Sequence, residues 1–209
     1  MISVAFDTGG AAAAGPWIRT AHPTFPCLID ERHVVAELYD MVNVPSAVWI
    51  DEDGRIVRPP EPAGVGDEFR TMDHATYRMP EDAMAALKSR RQAYLEAIRN
   101  WVEGGSDSSY VLSSEEVLRR MHGPTEEEAL AAANFRLGTH LHQKGHGEAA
   151  RWYFEEANRL RPESWNYRRQ AWSLEDPAKA GGPDFWTAVD ALGAERYYPQ
   201  IEMEGMPPD

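Results

Sequence analysis

The sequence predicts an α/β fold in the first half of the chain and an all-helical fold in the second half. Between residues 2 and 58, short apolar segments alternate with segments of helical periodicity, which is typical of a sheet whose strands are joined by crossover helices. After the Gly104-Gly105 pair, every segment with a clear pattern has the helical period. The predicted domains are therefore an α/β domain at residues 1–105 and a helical domain with a C-terminal tail at residues 106–209.

Two strand-helix units are predicted at the beginning of the α/β half. Pro26 indicates an edge position for the second strand, because proline cannot donate a hydrogen bond to a β-ladder. Trp17 and Ile18 of the first helix are expected to face the sheet. The predicted elements are strands at residues 2–6 and 24–29 and helices at residues 11–20 and 31–41.

A β-hairpin is predicted at residues 46–58. The apolar run SAVWI is followed by a DEDG turn and by a second strand at residues 55–58. Asp53 and Gly54 tolerate positive φ, so they suit a tight turn. Pro45 comes directly before the first strand, where its missing N–H removes no ladder bond, and its peptide bond is either trans or cis.

Between this hairpin and the end of the α/β half, the sequence predicts a loop and a helix. Residues 59–79 are rich in Pro and Gly and are predicted to cross the surface, with charged side chains that either rim a site or are solvated. Residues 81–102 are predicted as a helix, because Pro80 precedes them and acidic residues occupy the first turn. The Gly104-Gly105 pair is expected to end this helix.

The region around the hairpin resembles a known family, the thioredoxin-like redoxins. The resemblance covers residues 2–101 and implies a thioredoxin-like fold in which the Val44–Pro45 peptide is cis and faces the redox cysteines. By this resemblance, Val44 and Pro45 shape the substrate groove. The residues that match the family segment YGV-x-x-VP-T-x-F-x-ID-x-DG-x-I are Tyr39, Val44, Pro45, Ala47 to Ile50, Asp51, Asp53, Gly54 and Ile56.

Cys27 is the single cysteine of the chain, so these 209 residues contain no Cys-x-x-Cys pair and no intramolecular disulfide. The segment FPCLID resembles the family pattern FP-V-L-x-D, with cysteine in an apolar position. Cys27 is therefore interpreted as a small buried hydrophobic residue, and nothing basic lies beside it in the sequence to activate it. It remains the candidate nucleophile of this chain, and no other catalytic residue is predicted.

The resemblance implies that the first βα unit of the fold, with the redox motif and the middle strand of the sheet, is missing from this sequence. We expect a truncated redoxin, either because the start was placed late or because an in-frame UGA codon for selenocysteine was read as a stop. A competing expectation is that a second polypeptide, or a swapped copy in a homodimer, supplies the central strand.

The helical half contains two capping boxes and one segment that resembles a tetratricopeptide repeat. The boxes begin at Ser113 and Thr125. The repeat-like segment spans residues 131–162, and the resemblance implies that its helices bind a peptide. Asn134 beside Phe135 departs from the tryptophan of the repeat. Leu137, Phe154 and Leu160 are expected to fill the space between the two helices, which the small residues allow to approach closely. The residues that match the repeat are Leu137, Gly138, Gly145, Ala150, Phe154, Ala157, Leu160 and Pro162.

No metal site or cofactor is predicted. His140 and His142 are two residues apart on a predicted helix and point to different sides, so they do not converge with His146 on one ion. The aromatic residues of this half serve either as a contact surface or as core. They are Trp152, Trp165, Tyr167, Trp172 and Trp186.

The formal net charge of -13 disfavours nucleic acid and anionic membranes as partners. No apolar run approaches the length of a membrane span, and residues 1–10 do not resemble a signal peptide, so the expected location is the cytoplasm.

Two functions follow as expectations. The first is a thiol or selenol oxidoreductase, acting on disulfides or peroxides, which is inactive as the 209-residue form because its redox motif lies upstream. The alternative is a non-catalytic adaptor built on a redoxin scaffold, whose helical half binds a protein.

Overall fold

The computed structural model describes residues 1–121 and 123–207 and shows a mixed α/β protein that is mostly helical. The strands are β1 (Ser3–Phe6), β2 (Cys27–Asp30), β3 (Ser46–Ile50) and β4 (Ile56–Pro62). The α-helices are α1 (Gly10–Ala21), α2 (Val34–Leu38), α3 (Glu81–Gly104), α4 (Ser114–Arg120), α5 (Glu126–Gln143), α6 (Gly147–Leu160), α7 (Trp165–Glu175) and α8 (Pro183–Asp190). Short 3₁₀ helices span Asp67–Thr71 and Gly105–Asp107.

The chain divides into two compact units, each made of two separate stretches. The first unit consists of Met1–Val42 and Pro124–Phe185, and the second consists of Asn43–Gly123 and Trp186–Asp209. Residues 122, 208 and 209 of the second unit lie outside the described residues. This division differs from the predicted domains at 1–105 and 106–209, which stay a prediction.

In the first unit, β1 and β2 form a parallel two-stranded sheet with Ser3 opposite Cys27 and Phe6 opposite Asp30. Helix α1 connects the two strands and buries its small residues Ala14 and Gly15. The expectation that Trp17 faces the sheet is wrong, because its side chain is 78% exposed. The buried face of α1 consists of small residues, and the large indole lies outside it.

Helix α2 is shorter than the predicted helix at residues 31–41. The carboxylate of Asp30 accepts hydrogen bonds from the backbone N–H groups of Val34 (3.0 Å) and Val35 (2.6 Å), so the helix begins only after residue 33. His33 itself has a φ of 55° and is not helical. Leu38, one of the apolar residues that give the segment 31–41 its helical period, is exposed because the helix ends there.

Helices α5 and α6 pack closely in the first unit. The complete capping box at Thr125 and Glu128 starts α5, as the sequence predicts. A Cβ atom on Gly138 would lie 2.7 Å from Phe154, so glycine is required for this close approach. Leu137, expected between the helices, is 40% exposed, and that prediction is wrong. The ring of Phe135 fills this core, stacked on Tyr167 with centroids 4.5 Å apart.

In the second unit, β3 and β4 form the predicted antiparallel hairpin. Asp51 Oδ1 accepts from the backbone N–H groups of Asp53 (3.0 Å) and Arg55 (2.8 Å), and Gly54 has a φ of 78°. The second strand extends to Pro62, so the predicted loop at 59–79 begins with a strand. Its prolines are compatible with pairing because β4 has β3 as its single partner among the described strands.

The core of the second unit lies between the hairpin, α3 and the C-terminal segment. Trp49 stacks on Trp101 with centroids 5.0 Å apart, and Ala97 is completely buried. The prolines at positions 199, 207 and 208 predict a loosely packed tail from residue 197 onward. Tyr197 and Ile201 are nevertheless buried, so this prediction is wrong for these two residues. Across residues 1–121 and 123–207, no helix has both the length and the apolar character needed to cross a membrane.

Candidate functional site

The predicted substrate-binding residues Val44 and Pro45 lie at the start of β3, in the second unit. Both side chains are exposed, and the peptide bond between them is cis. The local sequence explains the position, because proline can occupy the entry of a strand without removing a ladder bond. The carbonyl of Pro45 accepts from the N–H of Ala63 at 3.0 Å, which anchors the hairpin at this end.

Both backbone hydrogen-bonding groups of Val44 are occupied by side chains. The N–H of Val44 donates to Asn43 Oδ1 at 2.9 Å, and the carbonyl of Val44 accepts from the Tyr198 hydroxyl at 2.8 Å. Asn43 is only 3% exposed. Its Nδ2 donates to the carbonyl of Tyr197 at 3.1 Å, and its own carbonyl accepts from Ser46 Oγ at 2.7 Å. Asn43 therefore connects the start of β3 to the C-terminal segment.

The position of Tyr198 is set by residues of the 3₁₀ helix Asp67–Thr71. The Asp67 carboxylate accepts from the backbone N–H groups of Tyr197 (2.9 Å) and Tyr198 (2.8 Å). Arg70 pairs with Asp67 at 3.1 Å and donates to the carbonyls of Gly193 (2.9 Å) and Glu195 (2.8 Å). These bonds hold the backbone of Tyr198 in place while its ring contacts Phe69, with centroids 5.9 Å apart.

Sequence reasoning did not find Asn43 or Tyr198. An asparagine beside Val-Pro is a local signal, since asparagine side chains bond to neighbouring backbone groups. Tyr198 has no such signal, because 154 residues separate it from the carbonyl that it contacts. Asp67 and Arg70 belong to the charged residues of the predicted loop at 59–79, but their contact with the C-terminal segment depends on the fold.

The first unpaired strand edge belongs to β3. The carbonyl of Pro45 and the N–H of Asp51 both bond to the β4 side, so odd-numbered residues direct their backbone groups toward β4. The backbone groups of Ser46, Val48 and Ile50 therefore point to the opposite edge. No described strand pairs with that edge.

The second unpaired edge belongs to β1. The N–H of Ser3 donates to Pro26 at 3.0 Å, so Ser3 and Ala5 face β2 while the backbone groups of Val4 and Phe6 face away. Among the described strands, only β2 pairs with β1. Neither β1 nor β3 contains a proline or a charged residue, although these are the usual protections of an edge strand. β4, in contrast, contains three prolines.

Cys27 lies in β2 of the first unit and is half-buried. Ser3 Oγ lies 3.0 Å from its sulfur, and the carbonyl of Phe25 lies 3.7 Å from it. These two contacts are a hydroxyl and a backbone carbonyl. Its role as a nucleophile stays a prediction.

His33 is a buried titratable residue that sequence reasoning missed. Its ring is 2% exposed and lies near Phe6 and Phe135, with centroid distances of 5.9 and 5.1 Å. Neither ring nitrogen makes a hydrogen bond of ordinary geometry with any described residue. Burial lowers the pKa of His33, while Asp30, Gln170 and Asp7 act in the opposite direction. This arrangement favours the neutral ring.

No group of three or more His, Cys, Asp or Glu side chains within residues 1–121 and 123–207 is arranged to hold a metal ion, and this includes His140, His142 and His146. Trp165, Tyr167 and Trp186 are buried, whereas Trp152 is 58% exposed beside Tyr153. Some aromatic residues of the helical half therefore belong to a core, and others lie at the surface.

No protein-family model, curated protein or solved structure matches this chain.

Proposed function

We propose that this chain belongs to a thioredoxin-like thiol or selenol redox protein, a disulfide or peroxide reductase, whose reactive residue comes from a strand outside these 209 residues. In the resembled family, one central strand carries the redox motif and pairs with the strands that correspond to β1 and β3. The observation that carries the proposal is that β1 and β3 each have an unpaired edge without proline or charge.

The backbone groups at these two edges can form hydrogen bonds with an added strand. The N–H and C=O groups of Val4, Phe6, Val48 and Ile50 belong to strand residues that are already partly buried. Each hydrogen bond that an added strand makes to these groups contributes about 0.5–1.5 kcal/mol, so an added strand would stabilise each sheet. Val44 and Pro45 would then shape the peptide groove, as the resemblance implies.

A first test uses the reading frame upstream of residue 1. We expect it to encode a strand and a helix with a cysteine, or an in-frame UGA codon, between them. The extended protein should reduce a disulfide or peroxide substrate, the Cys27→Ser variant should retain this activity, and replacement of the upstream residue should abolish it. Activity of the 209-residue form that is lost in Cys27→Ser would instead make Cys27 the nucleophile and contradict the proposal.

A second test measures amide hydrogen exchange in the 209-residue form. The N–H groups of Val4, Phe6, Val48 and Ile50 should exchange faster than those of Ala5 and Ala47, which face a paired strand. In the extended protein, all six amides should be protected. Unchanged exchange at the four edge amides would refute the completion of these sheets by an added strand.

The alternative is a non-catalytic adaptor, and exposed Trp152 favours it. Trp152 and Tyr153 lie on α6, in the helix pair that resembles a tetratricopeptide repeat, and aromatic residues dominate many protein interfaces. An extended protein that binds a partner, loses that binding on Trp152→Ala and reduces no disulfide or peroxide would favour the adaptor.

A further inference from the structure

Val44 is exposed, yet side chains occupy both of its backbone hydrogen-bonding groups. An extended peptide docks on such a backbone by offering a carbonyl to its N–H and an N–H to its carbonyl. Here Asn43 Oδ1 takes the place of that carbonyl at 2.9 Å, and the Tyr198 hydroxyl takes the place of that N–H at 2.8 Å. The two side chains therefore make the hydrogen bonds that a bound peptide would make.

We propose that Tyr198 masks the carbonyl of Val44, and that an extended peptide binds by displacing the Tyr198 hydroxyl from it. This inference rests on the proposed function, because the assignment of Val44 to the substrate groove comes from there. It adds a means of regulation to that site, since any change that turns the Tyr198 side chain away would expose the acceptor.

Asn43 and Tyr198 differ in how easily they can release Val44. Asn43 is buried and is held at three points by Val44, Ser46 and the carbonyl of Tyr197. Tyr198 is half-exposed, its backbone is fixed through Asp67, and its ring meets Phe69 and Tyr197 edge to face, with centroids 5.9 and 4.8 Å apart. Movement of this one side chain therefore uncovers the carbonyl of Val44, whereas release of the Val44 N–H would disturb a buried network.

The test uses Tyr198→Phe, which removes the hydroxyl and keeps the ring. In protein labelled with carbonyl-¹³C valine, the Val44 carbonyl resonance should shift in this variant because it loses a hydrogen-bond donor. The matched control is Tyr77→Phe, an exposed tyrosine of the same unit, which should leave the resonance unchanged. A Tyr198→Phe protein with an unshifted Val44 resonance would overturn the proposal.

Peptide binding is measured with an acetylated and amidated hexapeptide of alternating serine and valine. Tyr198→Phe should bind it about fivefold more tightly than the unmodified protein, as expected for one neutral hydrogen bond that no longer competes. Tyr77→Phe should bind it with unchanged affinity. In the unmodified protein, the Val44 carbonyl and the Tyr198 ring resonances should shift together at the same peptide concentration, which tests the displacement without any variant.

Two negative results have different meanings. The first is an equal shift of the Val44 carbonyl resonance by the peptide in the unmodified protein and in Tyr198→Phe. That result refutes the masking of this carbonyl by Tyr198, while Val44 remains a peptide-binding residue. If the peptide shifts the Val44 carbonyl resonance in neither protein, that result refutes both the masking by Tyr198 and the substrate-binding role of Val44 in the proposed function.

Discussion

Trp49 donates its indole N–H to the hydroxyl oxygen of Tyr94, 3.0 Å away, in the core of the second unit. Both side chains are buried, and their rings meet edge to face with centroids 6.0 Å apart. The bond joins the centre of β3 to the middle of α3, so it ties the hairpin to the longest helix of the described chain. Burial also raises the pKa of Tyr94, which keeps its hydroxyl protonated.

Replacing Tyr94 with phenylalanine should destabilise the protein. The Tyr94→Phe variant leaves the buried indole N–H of Trp49 without this acceptor, which should lower the free energy of unfolding by about 1–3 kcal/mol. Urea denaturation followed by tryptophan fluorescence measures the change. For the exposed control Tyr77→Phe, the free energy of unfolding should lie within about 0.5 kcal/mol of that of the unmodified protein. Equal destabilisation by both variants would contradict a stabilising role for the bond between Trp49 and Tyr94.

The stability of the protein should depend on the protonation of His33. Burial lowers the pKa of this ring from its ordinary value of 6.5, although Asp30 and Asp7 partly offset the effect. The unfolded chain therefore takes up the proton first as the pH falls, and the free energy of unfolding should decrease from pH 6.5 down through the folded-state pKa, by at most about 1.4 kcal/mol per pH unit.

Thermal denaturation between pH 7.5 and pH 5 measures this dependence. The variant His33→Asn removes the titrating ring and keeps a residue that tolerates the positive φ at this position. The difference in pH dependence between the two proteins isolates His33 from the other titrating groups. Parallel curves for both proteins would show that His33 does not contribute.

Adding one methyl group at Gly138 should disrupt the packing of α5 against α6. The new Cβ atom would lie 2.7 Å from two ring carbons of Phe154 and 3.2 Å from the carbonyl of Ala150. We expect Gly138→Ala to lower the free energy of unfolding by about 1–3 kcal/mol, measured by urea denaturation. Gly147→Ala is the matched control, because no atom lies within 4 Å of the added carbon. A neutral Gly138→Ala would mean that the helices can separate without cost.

Arg58 should be among the most costly residues to replace in the second unit. It is 2% exposed, forms two bonds with Glu61 (2.9 and 3.0 Å) and donates to the carbonyls of Tyr110 and Glu202, each at 2.9 Å. Arg58→Met leaves these acceptors unpaired, and we expect a loss of about 3–5 kcal/mol.

The exposed pair Arg55 and Asp53 provides the control for Arg58. Arg55→Met should cost less than about 1 kcal/mol, since solvent screens this pair. The double variant Arg58→Met with Glu61→Gln should recover part of the loss, because the uncompensated carboxylate is removed. If the single and double variants are equally unstable in thermal denaturation, the carboxylate of Glu61 is not the source of the cost.

Several features of this fold were predictable because their causes are local. The β-hairpin follows from an apolar run, a turn with Asp53 and Gly54, and Asp51, whose side chain bonds to the turn backbone within four residues. The start of α5 follows from Thr125 and Glu128, which satisfy each other's backbone groups within one helical turn. Short-range hydrogen bonds of this kind depend mainly on the local order of the residues, so a sequence pattern can predict them.

Other features depend on residues that are distant in the sequence, and only the tertiary structure decided them. Trp17 has the hydrophobicity of a core residue, but α1 buries Ala14 and Gly15 instead, and Trp17 is exposed. His33 is buried because Phe135, about a hundred residues later, covers it. Tyr198 reaches the carbonyl of Val44 because Asp67 holds its backbone. A local pattern indicates whether a residue tends to be buried or exposed. The residues that it contacts depend on which distant segments pack together.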